Sequence, residues 1–255
     1  MEELDALDLN DARLLVLTGA GVSAESGLAT FRDSNGLWEQ HRVEDVATPQ
    51  GFIKDPHLVW RFYSLRREQA KTVEPNAGHV ALAEAEKRMG DRFLLVTQNV
   101  DRLHQRAGSK RVIEIHGSLF RTKCARCDLD PFHDEATYFE PTLPTCDNCE
   151  AKGHKALLRP DIVWFGEMLD PANLHAIESF IHRDSDKPLI FIAAGTSGAV
   201  WPAAGLVGVT RAAGALTYLV NAEAADNASR FHIFIQGQSA ALLPALLGTT
   251  RDSRR

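Results

Sequence analysis

Six short runs of apolar, mostly branched or aromatic side chains punctuate the chain: Leu14 to Leu17, Phe93 to Val96, Val112 to Ile115, Leu189 to Ala193, Leu216 to Val220 and Phe231 to Ile235. Continuous apolar runs this short predict strands covered on both faces, as in a parallel sheet. Between most of them the apolar period lengthens to that of a helix. Examples are His79 to Met89, with Val80, Leu82 and Ala83 expected inward, and Pro171 to Ile181, with Leu174, Ile177 and Ile181 on one face. The alternation predicts an α/β protein with a doubly wound parallel sheet. After the runs come small or polar residues: Thr18-Gly19-Ala20-Gly21, Thr97-Gln98-Asn99, His116-Gly117-Ser118, Gly195-Thr196-Ser197, Asn221 and Gly237-Gln238-Ser239. In such a sheet these tips gather at the carboxyl edge, where ligands bind. One large site is expected there.

Two stretches break the alternation: Gly36 to Lys71, aromatic and helical in pattern, and Lys123 to Lys155, which holds all four cysteines. Both read as insertions that pack together as a smaller module beside the sheet. With 255 residues, 44% of them hydrophobic, the chain has material for one substantial domain and such a module. Its 28 basic and 34 acidic residues give a net charge of -6, which disfavours a surface that coats nucleic acid. No apolar run approaches the roughly 20 residues needed to cross a bilayer, and the start is acidic where a targeting peptide would be basic. A cytoplasmic protein with no membrane or nucleic-acid partner is expected, as a monomer. The polar tail from Thr249 to Arg255 is expected to fray.

Gly19-Ala20-Gly21-Val22-Ser23-Ala24 fits the glycine-rich turn that lets backbone amides approach a pyrophosphate, although plain turn chemistry gives the same string. A dehydrogenase would continue to an acidic residue ending the second strand. Here the chain instead passes Phe31-Arg32-Asp33 into the aromatic insertion, so a dinucleotide would bind unconventionally. Cys124, Cys127, Cys146 and Cys149 form two Cys-x2-Cys pairs, the spacing of a four-thiolate zinc site with no open position, hence a structural one. A ribbon that reads nucleic acid is the rival use, but Arg121 to Glu150 holds three basic residues against seven acidic ones. Of ten histidines only His116 stands at a strand tip, a position suited to a general base. Asn99 and Asp101, at the neighbouring tip, either contact ligand or cap the next helix. Tyr63 and Arg66 are three apart and share a helical face. From spacing alone, that helix has Trp60 and Tyr63 half buried and its arginines in water.

Taken together, the run from Thr18 to Asp33, Thr97 to Asp101, Ile115 to Ser118, the two cysteine pairs, Arg159 to Glu167, Gly195 to Ser197 and Val220-Asn221 resemble the sirtuins, the NAD-dependent protein deacylases. The matches span nearly the whole chain in the family's order. The resemblance implies a Rossmann-like domain (1–35, 75–120 and 160–255) and a small domain made of a helical insertion (36–74) and a zinc-ribbon insertion (121–159). A cleft between them would take NAD, as co-substrate, and an acyl-lysine peptide or protein. Gly19, Ala20, Gly21, Phe31, Arg32, Gln98, Asn99, Asp101, Gly195, Thr196, Ser197, Asn221 and, more weakly, Ser239 would line the NAD site. His116 would be the base, with Asn99 and Asp101 holding the nicotinamide carboxamide. Val163, Trp164, Phe165, Gly166 and Glu167 would clamp the peptide by strand addition. The sequence departs from the commonest pattern at Ala29 and Ala222.

The implied reaction yields nicotinamide, free lysine and 2′-O-acyl-ADP-ribose, with His116 taking a ribose hydroxyl proton. Tyr-x2-Arg at positions 63 and 66 resembles the branch that removes succinyl, malonyl and glutaryl groups. There the phenol and guanidinium would bind the distal carboxylate, while the neighbouring Arg67 is expected to matter little. A mono-ADP-ribosyltransferase and a non-catalytic NAD-sensing zinc scaffold are the alternatives.

Overall fold

The computed structural model describes residues 6–28, 37–38, 41–139, 141–184 and 186–249. All six apolar runs are strands of one parallel sheet: β1 (Arg13–Thr18), β4 (Phe93–Thr97), β5 (Val112–Glu114), β9 (Leu189–Ala194), β10 (Leu216–Asn221) and β11 (Ile233–Gln236), in the order β11-β10-β9-β1-β4-β5. In register, Val16 lies between Leu95 and Ile192. Because side chains alternate between faces, the inner strands feed two cores. Leu14, Val16, Leu95, Ile192 and Val220 meet the helices α5 (Ala77–Met89) and α10 (Ser239–Leu246) through Leu82, Ala85, Leu243 and Leu246. Leu15, Leu17, Leu94, Val96, Phe191 and Leu219 meet α8 (Pro171–Ile181) and α9 (Leu206–Ala212) through Ile177, Phe180, Ile181 and Val207. On α5 the buried stripe is Ala81, Leu82, Ala85 and Met89, and the Val80 expected inward is exposed. The α5·α10 contact engages the face one residue further round.

The chain runs from β1 through β4 to β5 on one side, then crosses to β9 and continues to β10 and β11 on the other. The crevice between β1 and β9 is therefore the switch point, where open sheets of this kind bind ligands.

The interruptions supply a second, smaller assembly. Helices α2 (Val43–Val46), α3 (Pro49–Lys54) and α4 (Pro56–Thr72) follow the two-stranded pair β2 (Leu37–Trp38) and β3 (His41–Arg42). Each of α3 and α4 starts with proline behind a capping side chain: Thr48 accepts from Gly51 N, and Asp55 from Leu58 N. The other interruption builds an antiparallel sheet from β6 (Gly117–Cys124), β7 (Phe132–His133) and β8 (Leu158–Ile162). Phe52, Val59, Trp60, Phe62 and Tyr63 from the first share one apolar cluster with Phe120, Cys124, Cys146, Cys149, Leu158 and Trp164 from and around the second.

Candidate functional site

At the β1/β9 crevice the two strand tips touch through backbone. Gly19 N donates to Ala194 O (3.0 Å) and Gly21 N to Gly195 O (2.8 Å). Gly195 has φ +60, and a Cβ there would lie 2.3 Å from Val22 N. Glycine is thus required by close approach as well as by conformation. Above this contact Gln98 donates to Thr196 Oγ1 (2.9 Å) and Asn221 to Thr196 O (2.8 Å), so the tips of β4, β9 and β10 are cross-linked. Ser197 follows Thr196 in the same loop, and Ala20 opens α1 (Ala20–Ala24). Ser239 is buried at the start of α10, beside the α5 N-terminus. Phe31, Arg32, Asp33 and Ala29 lie outside the described residues.

Asn99 and Asp101 converge on one serine. Asn99 Nδ2 donates to Ser23 Oγ (2.9 Å) and to Gly19 O (3.0 Å), while Ser23 Oγ donates to Asp101 Oδ2 (2.7 Å). The other Asp101 oxygen accepts from Leu103 N (2.9 Å), at the start of the short α6 (Leu103–Arg106). Asp101 therefore both closes the turn into α6 and joins the polar cluster. Burial raises its pKa, against the opposing pull of the Leu103 and Ser23 bonds and of the nearby Arg66 charge.

Beneath this cluster lie two histidines that sequence reading passed over. His79 Nδ1 accepts from Asn76 N (3.3 Å), which leaves Nε2 protonated and 3.5 Å from Ser23 Oγ. His104 Nε2 meets Thr18 Oγ1 (2.8 Å), and the two imidazoles pack 4.7 Å apart. Burial pushes His79 down to about 4. Burial, with His79 adding to it, pushes His104 well below the usual histidine range. Both are neutral at neutral pH. Neither stands at a strand tip, so nothing in their local sequence marks them.

His116 stands in the two-residue turn that joins β5 of the large sheet to β6 of the small one, β5 ending two residues earlier at Glu114. Gly117, next to it, has φ +82, and a Cβ there would meet Asp161 O at 2.0 Å, so only glycine lets β6 pass β8 at this point. The imidazole Nδ1 faces Gln98 O at 3.2 Å. A carbonyl can only accept, so Nδ1 carries the proton and Nε2 keeps its lone pair. Burial lowers the His116 pKa, and the Gln98 carbonyl partly offsets it. A neutral imidazole with a free acceptor nitrogen is the state a general base needs.

Val163 N donates to His116 O (3.0 Å), which places the segment after β8 against the histidine. That segment folds over Glu167, whose carboxylate takes Trp164 N (2.8 Å) and a bidentate pair from Arg159 (2.6 and 2.9 Å). Phe165 N donates to Ala47 O (3.0 Å), Gly166 has φ +88, and the Phe165 ring is exposed. Trp164 points inward, with the Arg159 guanidinium over its ring and its indole N–H donated to Tyr63 Oη (3.0 Å).

Tyr63 and Arg66 are both buried on α4, as is Trp60. Desolvation raises the Tyr63 pKa, so the phenol stays protonated at neutral pH. Arg66 lies over the Phe62 ring at 5.8 Å. The spacing expectation of arginines in water is overturned for Arg66 and Arg67, and Arg67 carries the larger set of partners. It is wholly buried, paired with Asp134 at 3.1 Å and stacked 5.3 Å over Trp60. Only Arg61 of the three arginines faces solvent.

The four cysteine sulfurs lie within 4.8 Å of one another, with Cys124 to Cys149 at 3.7 Å and Cys127 to Cys146 at 3.8 Å. None is disulfide-bonded. A tetrahedral zinc site with about 2.3 Å metal–sulfur bonds requires sulfurs about 3.8 Å apart. The set fits zinc.

A model of the Sir2 family matches residues 19–202. An NAD-dependent protein deacylase of Salmonella typhimurium is 44% identical over 238 residues, covering 92% of this chain and 83% of that protein. Among solved structures, a Sir2 homologue bound to NAD superposes with a TM-score of 0.81 at 40% identity, covering 92% of this chain and 88% of the other. A second, Sir2 with the inhibitor EX-527, 2′-O-acetyl-ADP-ribose and a deacetylated p53 peptide, gives 0.73 at 31% identity, covering 91% and 90%.

Proposed function

Since this chain belongs to the Sir2 family and is an NAD-dependent protein deacylase, we propose that it acts on lysines carrying a dicarboxylic acyl group, succinyl, malonyl or glutaryl, in preference to acetyl. The observation that carries this reading is the chain of contacts from Tyr63 to His116. The phenol accepts from the Trp164 indole, Trp164 follows Val163, and Val163 N is bonded to His116 O. Tyr63 and Arg66, one helical turn apart and both buried, would then form the far wall of an acyl pocket whose near end is the base. A guanidinium with a neutral phenol beside it suits a carboxylate by charge-assisted bonds. Sites built to hydrogen-bond a group reject analogues that lack it.

NAD, when bound, supplies an anomeric carbon activated by its nicotinamide leaving group. The glycine contact at Gly19, Gly21 and Gly195, with Gln98, Thr196, Ser197 and Asn221, would hold it at the switch point. Asn99 and Asp101, fixed by Ser23, would orient the carboxamide. His116 Nε2 would accept a ribose hydroxyl proton while Gln98 O steadies the imidazole. The 163–167 segment, braced by Glu167 on Arg159, would receive the extended peptide. Residues 36–74 and 121–159 would together form the small domain.

The test is a peptide of one sequence carrying acetyl, malonyl, succinyl or glutaryl lysine, followed by mass spectrometry with and without NAD. Succinyl turnover at least about tenfold above acetyl in kcat/KM is expected. Arg66→Met should collapse that ratio. Equal turnover of the two acyl groups by the wild type would remove the carboxylate pocket. ADP-ribose appearing on protein in place of deacylated lysine would favour the transferase alternative.

A further inference from the structure

Helix α4 carries two neighbouring stripes. Trp60, Ser64, Arg67 and Lys71 recur at helical spacing on one face, and Tyr63 and Arg66 stand on the next. The first stripe grips the stretch 134–138, which lies between the two cysteine pairs. Arg67 uses all five of its N–H donors: Nε to Leu119 O (2.5 Å), one amino group to Asp134 Oδ2 (3.1 Å) and Ala136 O (2.5 Å), the other to Arg121 O (3.3 Å) and Thr122 Oγ1 (2.8 Å). The Asp134 carboxylate in turn accepts from Thr122 Oγ1 (2.6 Å), Tyr138 Oη (3.2 Å) and Ala136 N (2.9 Å). Ser64 Oγ donates to Tyr138 O (3.3 Å) and accepts from Tyr138 N (2.8 Å), and Lys71 donates to Glu135 O (2.8 Å).

Bonds from one stripe to β6 and to the adjoining stretch 134–138 fix above all the rotation of the helix about its own axis. For side-chain tips about 6 Å from that axis, a turn of about 10° moves the neighbouring stripe by roughly 1 Å. A displacement of that size spoils a directional carboxylate site.

We propose that Arg67 and Asp134 are positioning residues for the acyl pocket: the ribbon stretch 134–138, together with β6 against which it packs, locks the rotation of α4, and so sets where Tyr63 and Arg66 stand. Acyl discrimination then depends on the zinc ribbon, beyond the stability the ribbon supplies. The inference rests on the carboxylate reading of Tyr63 and Arg66.

Its test compares wild type, Asp134→Asn, Ser64→Ala and Arg66→Met as zinc-loaded full chains, with succinyl- and acetyl-lysine peptides of one sequence. Zinc content and circular dichroism are measured alongside. For Asp134→Asn the succinyl KM is expected to rise about fivefold or more, while kcat and the acetyl KM move less than about twofold. Ser64→Ala should shift the same way by less, and decides the matter if Asp134→Asn does not fold. A merely structural pair would lower kcat/KM for both peptides by the same factor, and that result overturns the proposal. So does an unchanged ratio in a variant of a wild type that prefers succinyl and loses the preference in Arg66→Met. A wild type with no preference overturns the carboxylate reading and this inference together.

Discussion

A histidine in a two-residue turn between two sheets is held by its backbone as much as by its ring. The His116 carbonyl takes Val163 N and its Nδ1–H goes to Gln98 O, so the orientation of Nε2 is set from both sheets. Its pKa is lowered by burial from 6.5. The sign follows: the neutral form that a general base requires predominates above pH 6.5 and is lost as pH falls through the lowered value. The acid limb of kcat/KM should therefore lie below pH 6.5, measured on the free enzyme at subsaturating substrate. His116→Tyr should abolish NAD-dependent deacylation with zinc content and circular dichroism unchanged, because a proton acceptor is lost and no core contact is. General-base removal costs about 10²- to 10⁴-fold, so turnover within about tenfold of wild type would take His116 out of the mechanism.

Among the elements, α5 shows how one cap serves both fold and site. Asn76 Oδ1 accepts from Gly78 N (3.0 Å) and His79 N (3.4 Å), and its Nδ2 donates to Val22 O (2.8 Å) and Ser26 Oγ (3.0 Å) beside the glycine-rich turn. Asn76→Ala should cost about 1–3 kcal/mol, a cap plus two orphaned acceptors, and raise the KM for NAD. An unchanged Tm would show the cap to be idle. The strands were legible in sequence because burial on both faces of the central ones β1, β4 and β9 makes them almost continuously apolar, and the cysteine pairs because a metal dictates their spacing. Val80 was misplaced because α10 sets which face of α5 is covered, and no local period carries that. Arg67 was misread for a related reason: its acceptors lie 52 to 69 residues away in sequence, at Leu119 O and Ala136 O. Ser23, His79 and His104 were missed likewise, since their polar cluster exists only once β1, β4 and α5 are packed.

At the scale of the molecule, the proposed site depends on two assemblies with separate cores meeting at His116, and one of those cores contains the four cysteines. Cys124, Cys146 and Cys149 are buried among Trp60, Tyr63, Phe120, Leu158 and Trp164. Without metal, four thiols converge in an apolar cluster, and the ribbon's two pairs are joined by backbone bonds such as Ala125 N to Leu157 O and Cys146 N to Ala156 O and by the Asn148 amide on Cys127 Sγ. Structural zinc contributes on the order of 10 kcal/mol to folding, which the small assembly loses with the metal. The large sheet does not share that dependence, because both of its cores are filled by residues outside the ribbon. Cys146→Ser, or prolonged chelation, should therefore release zinc and abolish deacylation. It should also remove the near-ultraviolet dichroism of the buried Trp60, Tyr63 and Trp164, while most of the far-ultraviolet signal of the sheet and its covering helices remains. Metal analysis and the two dichroism bands, read on the same sample, check this. A zinc-free protein with its aromatic signal and activity intact would mean that the apolar cluster alone holds the small assembly, and that the metal is dispensable to the site.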